Sequence, residues 1–271
     1  MDKLIITAAI CGAEANKEDN PNLPITEHEL ANEAYLAYKA GASIIHLHVR
    51  DKEGNPTQSK EVFKTTIDLI KQKCPDVIVQ PSTGGAVGMD EIERQQPLEL
   101  DVEMATLTTG TVNFGDGVFY NPPKYIKHFA SIMKEKGIKP EIEVFEVGMI
   151  NNALKLVKQN FLSLPLHFDF VMGVPGGIPG TVNNLVHLVN EIPQGSTWTV
   201  AGIGRYELPL AAASIAMGGH VRVGFEDNLY YRYKELATSN AQLVKRVVRL
   251  AKELEREVAT PNEARKILGI S

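Results

Sequence analysis

The sequence predicts a (β/α)8 barrel, a TIM barrel, and three observations carry that expectation. Short β-branched runs alternate with longer amphipathic ones along the whole chain. Eight such runs open at Leu4, Ser43, Val77, Val102, Glu141, Leu166, Thr197 and His220. Their repeat averages about 31 residues, the length of a strand, a loop and a crossover helix. The turn after the first run, Cys11-Gly12-Ala13-Glu14, lacks the glycine-rich phosphate pattern that usually begins a doubly wound open sheet. No linker, low-complexity tract or composition shift divides residues 1–271, so a single domain is expected.

Each element has its own signals. The first strand, LIITAA, leads through a long loop to Thr26-Glu27-His28-Glu29, a capping box that opens a helix. After the second strand, SIIHLHV, Ser59 caps a helix that runs to about Lys73, with Pro75 just beyond. The third strand is VIVQPS and the fourth VEMATLT, after which Asn121-Pro122-Pro123 opens a helix, proline being tolerated in the first turn. EIEVFE and LHFDFVM are the fifth and sixth strands. TWTVAGI, the seventh, precedes the helical run LPLAAASIAM, which stops at Gly218-Gly219. HVRVGFE closes the set. The last helix is expected from Asn240 to about Glu257, followed by a short tail containing Pro261. The loops after the first, fourth and sixth strands are long or glycine-rich, whereas those leading into strands are shorter. In a barrel the long loops share the C-terminal face, so the chemistry is expected there.

Composition narrows the function. The chain of 271 residues is 44% hydrophobic and carries 28 basic against 33 acidic side chains, a formal charge of −5. That balance argues against nucleic-acid binding, whose footprint is basic. Two cysteines, Cys11 and Cys74, make no disulfide framework and fit a reducing compartment. No apolar run approaches the roughly 18 residues of a membrane helix, and the N-terminus lacks a signal-peptide layout. A cytoplasmic protein is expected.

His46-Leu47-His48 lies near the end of the second strand. Alternation points both imidazoles one way and Leu47 the other, giving half of a zinc or iron site. In the eighth strand Val221, Val223 and Phe225 form an apolar row that must meet helices, which turns Arg222 and Glu226 into the barrel. The eighth strand closes onto the first, beside the second, so Glu226 can approach His46 and His48. Two imidazoles and one carboxylate leave an open coordination position, as in catalytic sites. The competing reading is an Arg222–Glu226 ion pair without metal, whose desolvation costs several kcal/mol per ion. Asp227 falls on the loop edge as a candidate general base, or as a turn cap. Glu141 and Glu143 share one face of the fifth strand, and a buried glutamate needs a partner. Ser82-Thr83-Gly84-Gly85 offers a hydroxyl and backbone N–H groups to a carboxylate. Glu14 occupies the first long loop, and Thr106 and Thr108 line one face of the fourth strand. His167 and Asp169 are reserve ligands, and the loop from Gly173 to Gly180 reads as flexible. His28, His128 and His187 fall on helices and read as solvated or packing residues.

The segments IIHLHVRDKEGNPTQS, QPSTGG and VRVGFEDN resemble the β-keto acid cleavage enzymes, over essentially the whole chain. The resemblance implies a TIM barrel binding Zn2+ through His46, His48 and Glu226, with Asp227 as catalytic base and Arg222 as anion stabiliser. It also implies substrate contacts from Glu14, Ser82, Gly85 and Thr106, with Glu143 nearby, and a homo-oligomer, a tetramer. The implied acyltransferase reaction converts a β-keto acid and acetyl-CoA into acetoacetate and a new acyl-CoA. Glu14 and Glu143 favour a substrate carrying a cationic amino group, 3-keto-5-aminohexanoate, as in lysine fermentation. Three other readings stay open: the same reaction on a different β-keto acid, a metal-dependent barrel hydrolase and a non-catalytic metabolite-binding barrel. Barrel hydrolases, however, usually carry His-x-His on the first strand and further histidines on middle strands.

Overall fold

In the computed structural model, which describes residues 2–270, all eight expected runs become parallel strands. They are β1 (Ile6–Ala9), β2 (Ile44–Leu47), β3 (Ile78–Pro81), β4 (Met104–Thr108), β5 (Lys139–Val144), β6 (His167–Met172), β7 (Thr197–Gly202) and β8 (His220–Val223). Their lateral order is β3-β2-β1-β8-β7-β6-β5-β4, so neighbours in sequence are neighbours in space and β8 closes onto β1. The intervening helices are α1 (Glu27–Ala40), α2 (Lys60–Lys73), α3 (Glu91–Gln95), α4 (Pro123–Lys136), α5 (Gly148–Lys158), α6 (Val182–Glu191), α7 (Glu207–Met217) and α8 (Asn240–Glu253). The fold is the expected (β/α)8 barrel, and among the described residues no helix is long and apolar enough to cross a membrane.

One junction lacks a backbone ladder: β3 against β4. Ile78 and Ser82 donate their N–H groups to β2, so Val79, Pro81 and Thr83 face β4. Pro81 has no N–H to give on that side. Thr83 closes the seam instead: its N–H donates to Thr106 Oγ1 (3.1 Å) and its hydroxyl to the Thr106 carbonyl (2.8 Å).

Helix boundaries follow the local signals. Thr26 and Glu29 form the capping box, and Ser59 Oγ accepts from the Val62 N–H. The C-terminal expectation is corrected. α8 ends at Glu253, and the expected tail is a further helix, α9 (Pro261–Leu268), opened by a Thr260/Glu263 capping box with proline in its first turn. Ala264 and Leu268 of α9 pack on Ile5, Ile44, Ile78 and Met104, the inward residues where four strands enter. An apolar floor therefore seals the N-terminal end of the barrel, while outward residues such as Leu47, Phe170 and Val221 pack among the helices. Polar inward side chains are left to the upper layers and the open, C-terminal mouth.

Where β8 ends, Gly224 adopts φ +148°, and a Cβ there would lie 2.2 Å from the Ala9 carbonyl oxygen. The chain turns at this point: Asp227 and Asn228 donate to the Gly224 carbonyl while Glu226 donates to that of Ala9. Gly224→Ala is expected to cost about 2 kcal/mol or more, since backbone strain and a steric clash add. A lowered urea midpoint checks this; an unchanged midpoint contradicts it.

Candidate metal and acid–base site

The barrel brings His46, His48 and Glu226 together. One ligand atom from each lies within 4.8 Å of the other two, although 178 residues separate His48 from Glu226. Glu226 Oε1 lies 3.4 Å from His46 Nε2 and 3.6 Å from His48 Nε2. Tetrahedral donors about 2.0–2.2 Å from a shared zinc-sized cation stand about 3.3–3.6 Å apart, so this spacing suits three ligands of one ion. Two buried atoms, His46 Nε2 and Glu226 Oε2, have no hydrogen-bond partner. Orphaned buried groups are costly, and a cation between them would satisfy both.

Gln80 on β3 completes the arrangement, although nothing in its local sequence marks it. Its Oε1 lies 2.8 Å from His46 Nδ1, an acceptor that holds a proton on Nδ1, so that the neutral ring presents Nε2 to a metal. Register pairs Gln80 with His46 across β2 and β3, so strand alternation could have found it once the barrel order was assumed. Gly12, at φ +74°, leaves room for Glu226: a Cβ there would meet Glu226 Cγ at 2.7 Å.

Beside the ligands sits Arg222, the hub of the buried charges. It binds Asp227 through two bonds of 2.9 Å, Glu226 at 2.5 Å, Asp169 at 3.3 Å and Glu143 at 3.6 Å. The metal-free alternative thus contributes a real contact, because Glu226 faces the guanidinium and the imidazoles together. Burial would raise the Glu226 carboxyl, but Arg222 foremost and the imidazoles hold it well below the usual range. Burial pushes Asp227 up to about 6, against the pull of Arg222. Burial likewise lowers His48 to about 4. At His46 burial also favours the neutral ring, yet the neighbouring Glu226 outweighs it and lifts the group to about 9. Asp169 stands well above the ordinary value, chiefly through burial and the nearby Glu141.

A cavity of about 500 Å³ opens above these groups at the C-terminal mouth. Arg222, Glu226, Asp227, His48 and Glu143 form its polar wall, and Glu14, Ser82 and Gly85 also line it. Asp227 is buried rather than set on the loop edge. Thr106 is not among the lining residues; its hydroxyl is engaged by Thr83, and Thr108 is the threonine that donates to Glu143 Oε2 (2.5 Å). His167 lies one layer below, bonded to Glu141 (3.0 Å), so neither it nor Asp169 joins the ligand cluster. The opposite wall is aromatic: Phe114 and Phe119 of a small hairpin meet Phe145 edge to face, with centroids 6.1–6.3 Å apart. The loop from Gly173 to Gly180, expected to be flexible, is tied down, with Ile178 donating to Phe145 and Gly173 to Ile178. Gln80→Leu is expected to weaken zinc binding 10–100-fold, because the imidazole loses its orienting acceptor. Competition with a chromogenic chelator measures this; wild-type affinity would show that Gln80 does not orient the ligand.

Comparison with known proteins identifies the family. The family model described as beta-keto acid cleavage enzyme matches residues 3–270. A 3-keto-5-aminohexanoate cleavage enzyme of Fusobacterium nucleatum is 60% identical over 271 residues, covering all of this chain and 99% of the relative. Its counterpart from Acetoanaerobium sticklandii is 57% identical over the full length of both chains. A 3-oxoadipate:acetyl-CoA acetyltransferase of Cupriavidus necator is 40% identical, covering 98% of this chain and 94% of the relative. Among solved structures, apo ObcA superposes with a TM-score of 0.82 at 20% identity, over 92% of this chain and 66% of that one, a likeness of fold. A full-length family match and relatives sharing over half their residues lead to one conclusion: the chain belongs to the β-keto acid cleavage enzyme family.

Proposed function

We propose that this enzyme converts 3-keto-5-aminohexanoate and acetyl-CoA into 3-aminobutanoyl-CoA and acetoacetate, using zinc held by His46, His48 and Glu226. The observation that carries the reading is the placement of Asp227 and Arg222 in one cavity wall with His48 and Glu226, two of the three clustered ligands, with His46 buried behind them. The identity to the two 3-keto-5-aminohexanoate cleavage enzymes supports the choice of substrate. Glu14 at the cavity wall and Glu143 deeper inside supply carboxylates suited to a cationic amino group.

Carbon 2 of a β-keto acid lies between two carbonyl groups, so its proton is acidic. His46, His48 and Glu226 would hold a zinc ion, which would supply Lewis acidity to the β-keto acid. Asp227, with its carboxyl near 6, is ionised at neutral pH yet basic enough to take that proton. The resulting carbanion attacks the acetyl thioester and expels CoA thiolate. The thiolate then adds to the original keto carbon, and cleavage of the bond between carbons 2 and 3 leaves the new thioester and a carbon-2 carbanion, to which Asp227 returns the proton to give acetoacetate. Arg222 faces the oxyanions formed in these steps, a contribution of about 3–4 kcal/mol in a dry site. Ser82, whose Oγ accepts from the Gly84 N–H, and the Gly85 backbone offer hydrogen bonds to the substrate carboxylate, and Thr106 supports them by holding Thr83.

The family resemblance further favours a homotetramer, and the free, buried Cys11 and Cys74 suit the reducing cytoplasm. Asp227→Asn is expected to lower kcat by at least a thousandfold while zinc content stays at the wild-type level, checked by metal analysis and an acetoacetate assay. Full activity in that variant would remove Asp227 from its role. On a panel of β-keto acids, turnover is expected only with acetyl-CoA present; turnover without it would favour a hydrolase.

A further inference from the structure

Arg50 is a buried cation whose hydrogen bonds all go to carbonyl oxygens. It follows the metal-ligand strand β2, is 6% exposed, and donates from Nε and Nη2 to Gly12 (3.1 and 2.7 Å). Nη2 also donates to Ala15 (2.9 Å) and Nη1 to Gly54 (3.3 Å). Gly12 and Ala15 flank Ala13 and Glu14, both of which line the cavity. The Glu14 side chain is exposed at the mouth, and among the described residues no other side chain holds it. Its location is therefore set by the backbone, and Arg50 grips that backbone on both sides. Gly12 in turn lies against Glu226.

We propose that Arg50 is a positioning residue for substrate selection, holding Glu14 at a fixed reach from the metal-ligand cluster so that the enzyme prefers β-keto acids bearing a cationic group. The inference rests on the reading of Glu14 as the partner of the substrate amino group. A carboxylate on an unrestrained loop would pay for its ordering on every binding event; one already clamped does not. Arginine suits the task because its planar fork reaches two carbonyls along one loop through Nε and Nη2 while Nη1 reaches Gly54, which a lysine ammonium cannot reproduce. Arg50 touches neither substrate nor reacting atoms, so it acts through Glu14.

The test compares kcat/KM for 3-keto-5-aminohexanoate and for neutral 3-ketohexanoate, each with acetyl-CoA, in zinc-loaded wild type, Glu14→Gln, Arg50→Gln, Arg50→Lys and the Glu14→Gln/Arg50→Gln double variant. Arg50→Gln is expected to lower the amino-to-neutral ratio on the order of tenfold, chiefly through KM, as does loss of a hydrogen bond to a charged group. Arg50→Lys, which keeps the buried charge, is expected to lose part of the ratio, and it carries the test if the glutamine variant does not fold. In the Glu14→Gln background, Arg50→Gln is expected to change the ratio no further. Equal losses on both substrates, or the same fall with and without Glu14, would overturn the inference. A ratio that falls with Glu14→Gln but not with either Arg50 variant would overturn it while leaving Glu14 in place. A ratio unmoved by Glu14→Gln would overturn the reading of Glu14 and this inference with it.

Discussion

One guanidinium governs the interior of this barrel. Arg222 is buried among Asp227, Glu226, Asp169 and Glu143, with the Glu141–His167 pair a layer below. Four carboxylates around one cation are too many to ionise together in a low dielectric. The surplus shows in the raised Asp169 and Glu143, both driven first by burial. Glu226 keeps its charge because it has Arg222 on one side and two imidazoles on the other. A divalent ion beside it would offset the remaining negative charge, so the electrostatics and the ligand geometry ask for the same thing.

The fold delivers these groups through strand alternation. Each strand gives apolar side chains to the helices and polar ones to the interior, and the parallel register stacks the latter in layers. Thr108 lies beside Glu143, Glu143 beside Asp169, and Arg222 beside both Ala201 and Thr7. The helix α9 then closes the lower end with apolar contacts, so water and substrate meet the charged layers only from the mouth. Gly224 ends the regular strand early, which lets Glu226 reach the imidazoles while Asp227 folds back onto Arg222.

Much of this was legible in the amino-acid order. The strand repeat gave the barrel, and the alternation in His46-Leu47-His48 and in Val221 to Glu226 placed three ligands on facing inner rows. What escaped depended on contacts between residues remote in sequence. Gln80 reads as an ordinary polar strand residue until β3 is set beside β2. Thr106 and Thr108 look equivalent, yet the ladder missing at Pro81 turns one to the seam and leaves the other for Glu143. Arg50 and Arg94 carry no local sign that carbonyl oxygens will surround them. Arg94, buried under the mouth, donates to Thr83, Tyr120 and Asn121 and stacks on Phe119 and Phe129. By contrast α9 had a readable start in Thr260, Pro261 and Glu263; its brevity hid it among tail residues.

The unladdered junction between β3 and β4 also bears on how such a scaffold diversifies. Elsewhere around the cylinder, parting two strands unzips a run of amide pairs; here it severs the two links made by Thr83. The stave next to a proline is thus the one most easily parted, and because it also carries Gln80, any widening there reaches the cation's grip through His46.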